Sequence, residues 1–146
     1  DSRDTGSAND YLPHNYTKNT VVYSGTHDNE TVMGWLNDIT EEEFDMVLAY
    51  FNLKKDAKNT EICDAIIRGA MGSVSDTCII PIQDYLHYNH KYRMNTPSTI
   101  GKNWMFRLVE GEIDEATWKN IKYLTELWSR IIGNKFSATN YYIIMV

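Results

Sequence analysis

The chain has 146 residues, a hydrophobic content of 42% and a formal net charge of −6. That is enough chain for one domain with a real core, and the acidic balance argues against a nucleic-acid or polyanion partner, because no basic stripe is available to neutralise phosphates. No apolar run approaches membrane-spanning length, and a cytoplasmic location is expected.

Residues 1–19 are polar and turn-rich, with Gly6 and Pro13, and read as a long loop. The opening Asp1-Ser2-Arg3-Asp4 has no initiator methionine, so a preceding segment is expected. The run "TVVYSG" over 20–25 is β-branched and aromatic and too short for a helix; it predicts a short buried strand. A helix is expected from near Asn29. Thr40-Glu41-Glu42-Glu43 has the form of a capping box, and Phe44, Val47, Leu48 and Phe51 follow at helical spacing. After a charged connection, a further helix is expected from near Thr60, with Ile62, Ile66, Met71 and Val74 on one face.

"TCIIPI" over 77–82 predicts a second strand, with Pro81 tolerable only among its last residues because it donates no hydrogen bond. Residues 83–112 read as one long loop, a feature that usually carries function. Asp114 is placed as the cap of a final helix to about Ile132, with Ile113 stapled on Trp118 and a buried stripe of Ile121, Leu124, Trp128 and Ile131. Two apolar strands joined by a helical crossover predict parallel pairing. The ending "FSATNYYIIMV", 136–146, is apolar, uncapped and aggregation-prone, and matches nothing recognised.

Polar groups follow both strands: Thr26-His27-Asp28-Asn29 after the first and Gln83-Asp84 after the second. In a (β/α) barrel, catalytic groups gather where the strands end, so both clusters are expected on one pocket. The plainer reading makes His27 or Asp28 the cap of the next helix. Metal binding is disfavoured: His14, His27, His87 and His90 form no recognised ligand spacing. Cys63 and Cys78 read as buried thiols, with a disulfide or metal pair as the minor alternative. There is no nucleophile elbow and no phosphate-cradling glycine loop. No cofactor is expected. Carboxylate, amide and aromatic groups together suit sugars, whose rings offer apolar faces and outward hydroxyls. Tyr23, Trp35, Tyr92 and Trp104 are the candidate stacking rings, with core packing as the competing role, strongest for Trp35 on its predicted helix.

"YLPHNY", "VVYSGTHDNET" followed by Gly34-Trp35, "IIPIQDYL" and "RMNTPSTIGKNW" occur in this order. Together they resemble the amylomaltases, the 4-α-glucanotransferases or disproportionating enzymes of glycoside hydrolase family 77, from about Tyr11 to about Arg130. The resemblance implies an α/β fold, the C-terminal part of a (β/α)8 TIM barrel: 1–19 leading in, 20–135 carrying the last two strands and their helices, and 136–146 unmatched. It implies a retaining double displacement that transfers α-1,4-glucan segments between maltodextrins, using a nucleophilic Asp, an acid/base Glu and a third, supporting Asp. Asp28 matches the third, catalytic carboxylate. His27 and Asn95 match substrate-binding residues, and His14 is placed near the cleft. The nucleophile and acid/base are expected in a missing N-terminal part of the same barrel, leaving this piece alone inactive. Alternatives are a related α-glucan hydrolase or a non-catalytic glucan-binding or interaction module. Lys102 and Phe106 depart from the family pattern, where a small residue and a Trp are commoner.

Overall fold

A computed structural model describes residues 6–130. Two three-residue strands, β1 (Val21–Tyr23) and β2 (Thr77–Ile79), pair in parallel, with Val22 opposite Cys78. Parallel strands need a long crossover. Here it is built from α1 (Val32–Asp38), α2 (Glu41–Tyr50) and α3 (Asn59–Met71). After β2 come a one-turn helix α4 (Ile82–Tyr85) and, beyond an irregular segment, α5 (Glu115–Leu127). Short 3₁₀ turns occupy Pro13–Asn15 and His90–Tyr92.

Local chemistry sets the helix starts. At Thr40 both halves of the capping box form: its hydroxyl accepts from the Glu43 amide, and the Glu43 carboxylate accepts from the Thr40 amide. The Asp114 carboxylate accepts from the Thr117 amide at the head of α5. That bond holds the Asp114 carboxyl below its ordinary range. The core is centred on α3: Ile62, Cys63 and Ile67 are buried against Val22, Leu36, Val47, Leu48, Ile82, Ile121 and Leu124.

Several expectations need correction. β1 is buried only at Val22; Val21 and Tyr23 are exposed, because the pleat sends neighbours to opposite faces and the described sheet is covered on one. α1 begins at Val32, not near Asn29, since Thr31 supplies the cap by accepting from the Gly34 amide. α3 stops at Met71, which leaves Val74 beyond it and 61% exposed. β2 ends at Ile79, and Pro81 lies outside it as the residue that leads into α4. The expected loop 83–112 therefore contains a helical turn and a 3₁₀ turn. α5 ends at Leu127 and leaves Trp128 partly exposed. Ile131 and the tail 136–146 lie outside the described residues.

Candidate functional site

The turn that leaves β1 and the segment that follows α4 meet beyond the C-terminal ends of the two parallel strands. A cleft of about 320 Å³ opens there, lined by Tyr23, Thr26, His27, Glu30, Ile79, Gln83, Arg93 and Met94 among others. His27 lines it, and the next residue, Asp28, follows on the same turn; their side chains are 41% and 50% exposed. Neither caps a helix: Thr31 does. The plainer reading of this pair is thereby removed. Asn29 has another task. Its amide oxygen accepts from both the amide and the hydroxyl of Thr26, at 2.8 and 2.7 Å, which closes the turn that presents His27 and Asp28.

The Asp28 carboxylate is held by the segment that follows α4. Asn95 Nδ2 donates to Asp28 Oδ1 at 2.6 Å, and His27 Nε2 lies 3.3 Å from the same oxygen. The Asn95 amide also donates to the His27 carbonyl at 3.1 Å, so backbone and side chain both join the two segments. Among the described residues no hydrogen bond reaches Asp28 Oδ2. One oxygen is thus fixed by protein, on a side chain that is half exposed. Trp104 stands beside His27: its ring lies 5.0 Å from the His27 ring, and its amide donates to the Met94 carbonyl at 2.7 Å. Its backbone is left-handed, with φ of 63°, an unusual state for a bulky side chain. Trp104 is 48% exposed.

Three expected site residues, His27, Asp28 and Asn95, are therefore brought together. His14 is not in their bonding network. Its Nδ1 pairs with the Tyr50 hydroxyl and its Nε2 with the Ser7 carbonyl, and its ring stacks on Tyr50. Both ring nitrogens are already engaged, so His14 ties the N-terminal segment to α2. Its neighbours Pro13 and Asn15 line a second cleft of about 940 Å³, which shares Tyr23, Thr26 and Glu30 with the first.

Gln83 and Asp84 line the same cleft as Thr26, His27 and Asn29, as expected of two clusters on one pocket, but Asp84 does so as a buried group. It lies at the base of the cleft and is 1% exposed. Its Oδ2 accepts from the Ser24 hydroxyl at 2.6 Å and its Oδ1 from the Val32 amide at 2.9 Å. It therefore spans the two ends of the 24–32 loop. Burial pushes its carboxyl above the ordinary carboxylate range, against the lowering effect of these two bonds. Adjacent Gln83 is also buried; its Nε2 makes one long bond to the Tyr92 carbonyl, and its Oε1 has no partner among the described residues.

The role of Arg93 escaped the sequence reading. Arg93 bonds to the backbone of both Asp28 and Asn95, and its ion pair with Glu30 spans 3.2 Å. The only sequence signal was a lone cation inside "RMNTP" in an acidic chain. Of the named rings, Tyr23, Tyr92 and Trp104 are exposed, while Trp35 packs on the core. Burial drives both thiols upward, Cys78 to about 11, as expected of buried thiols. Among the described residues no group of three or more His, Cys, Asp or Glu is placed to hold a metal ion. None of the described helices is long and apolar enough to cross a membrane.

Residues 2–112 match the family model described as 4-alpha-glucanotransferase. A 4-alpha-glucanotransferase of Clostridium butyricum is 39% identical over 126 residues, 85% of this chain and 25% of the relative. The chloroplastic/amyloplastic 4-alpha-glucanotransferase of Oryza sativa subsp. japonica is 45% identical over 103 residues, 70% of this chain and 17% of the relative. Among solved structures, an amylomaltase from Streptococcus agalactiae in complex with acarbose superposes with a TM-score of 0.80 at 34% identity. It matches 90% of this chain, which covers 26% of that one. The chain thus spans about a quarter or less of the length of these relatives.

Proposed function

Since the chain belongs to the 4-alpha-glucanotransferase family, we propose that it forms the sugar-supporting wall of an enzyme that transfers α-1,4-glucan segments between maltodextrins. On this reading β1 and β2 are neighbouring strands of a (β/α)8 barrel, and the cleft belongs to the rim where its strands end. The observation that carries it is the Asp28–Asn95 bond of 2.6 Å between the turn after β1 and the segment that follows β2. It fixes one carboxylate oxygen and leaves the other free to meet a ligand, while the Trp104 ring lies near the adjacent His27 ring.

The chemistry follows from that geometry. A glycosyl transfer passes through an oxocarbenium-like state, in which the ring flattens and gains positive charge. Asp28 Oδ2 accepts ring hydroxyls and holds them more tightly as the ring distorts. The fixed anion also stabilises the developing charge. Asn95 and His27 orient the carboxylate and share the hydroxyls, and Trp104 offers an apolar face to a neighbouring sugar. His14 acts at one remove, by fixing the segment along the adjoining cleft.

The other carboxylates of the cleft are committed. Glu30 accepts from the Thr31 amide and pairs with Arg93; Asp84 is buried on Ser24 and Val32. A retaining mechanism needs a nucleophile and an acid/base about 5–5.5 Å apart, and these are assigned to the rest of the polypeptide. The test is product analysis of the complete polypeptide on maltotriose. Longer maltodextrins with glucose are expected. Shorter sugars alone would make it a hydrolase, and no turnover would refute the reading.

A further inference from the structure

We propose that Arg93 is the positioning residue for the Asp28 carboxylate: one guanidinium grips the main chain of both Asp28 and Asn95 and so sets the bond between their side chains. The proposal rests on Asp28 being the supporting carboxylate. Arg93 Nη2 donates to the Asp28 carbonyl at 2.7 Å, and Nε donates to the Asn95 carbonyl at 2.7 Å. The remaining arm, Nη1, pairs with Glu30 Oε2 at 3.2 Å. Glu30 is itself anchored, since its Oε1 accepts from the Thr31 amide at 2.9 Å. The ion pair is largely sheltered, with Arg93 22% and Glu30 18% exposed.

Asp28 needs such a device. It sits on an exposed turn, so packing does little to hold it. Its partner Asn95 lies on a different irregular segment. Two loops free to drift by an ångström would not keep a 2.6 Å bond. A guanidinium is planar and presents donors in a fixed fork, so its three acceptors share one rigid frame. A lysine ammonium can keep the charge opposite Glu30 but cannot reproduce that frame. Arg93 touches backbone only at Asp28 and Asn95, so it acts through them on the sugar.

The test compares wild type, Arg93→Lys and Arg93→Ala in the complete polypeptide by maltotriose kinetics, thermal melting and ¹⁵N spectra. Arg93→Lys should fold and melt near wild type, yet lose about 10²-fold in kcat, the penalty typical of ångström-scale misplacement. Its KM should stay within about threefold, because the loss falls on the transition state. Low-millimolar guanidinium should restore part of the kcat of Arg93→Ala and none of that of Asp28→Asn. The proposal is overturned by wild-type kcat in Arg93→Lys, by a change confined to KM, by failure of that variant to fold, or by losses that track the unfolded fraction. Inactive wild type would sink the functional reading instead. The grip is then read from the Asn95 side-chain amide and Asp28 amide resonances. They must shift in Arg93→Lys, and unchanged resonances overturn the proposal.

Discussion

Asp84→Ala should be among the most damaging single changes outside the core, and Asp84→Asn should be nearly harmless. The alanine removes the acceptor of the Val32 amide and of the Ser24 hydroxyl. A buried donor left unpaired costs about 1–3 kcal/mol. The Val32 amide bears that in full, because it is enclosed. Ser24 is only half-buried, and its hydroxyl can turn toward water, so it adds about 1 kcal/mol or less. The expected total is about 2–4 kcal/mol. Asparagine keeps the Oδ1 acceptor for Val32, and the Ser24 hydroxyl can turn to accept from Nδ2. The two variants also separate with pH. Burial raises the folded-state value of Asp84 above its ordinary 3.8. Its contribution is therefore fully present below 3.8 and is lost as pH rises through the folded value. Asparagine has no such term, so its stability relative to wild type should improve from pH 4 toward neutrality. Urea unfolding of the complete polypeptide at several pH values, with hydrogen exchange at the Val32 amide, measures both effects. Equal damage from Asn and Ala, or a pH trend of opposite sign, would refute the reasoning.

Asp28→Asn should leave folding nearly intact, because the side chain is half exposed, and lower kcat about 10²–10³-fold with little change in KM; near-normal turnover would remove Asp28 from the chemistry. Gly34→Ala should disturb the site despite alanine's helix propensity. A methyl there would stand 2.4 Å from Glu30 Oε1 and 2.6 Å from its Cγ, so Glu30 must swing out and release Arg93. A drop in kcat with loss of the Arg93–Glu30 pair in a structure of the variant is expected, and unchanged kcat would show that the pair is dispensable. The 146-residue chain expressed alone should show helical circular dichroism with loose packing, dye binding and concentration-dependent association, because in the described fold each strand has one neighbour and an open edge. A cooperative monomer in calorimetry and size exclusion would contradict this.

What the amino-acid order determined is what short-range chemistry decides. Thr40 and Glu43 lie within one turn of each other, so their reciprocal cap was legible, as was the Asp114 cap. The strand–helix–strand order dictated parallel pairing because the crossover is long. The residues His27, Asp28 and Asn95 were legible as members of motifs. Their bonding was not, since Asp28 and Asn95 are 67 positions apart. Only the tertiary structure decided which polar residues near the strand ends stay exposed and which are buried as supports. Gln83 and Asp84 read as site groups, yet α4 buries them, and a buried carboxylate is kept there by two donors from distant segments. His14 read as a cleft residue, yet Tyr50 on α2 occupies its ring. Arg93 stood in a legible motif but its role did not show there, because that role consists of three acceptors that folding alone brings within reach of one planar cation.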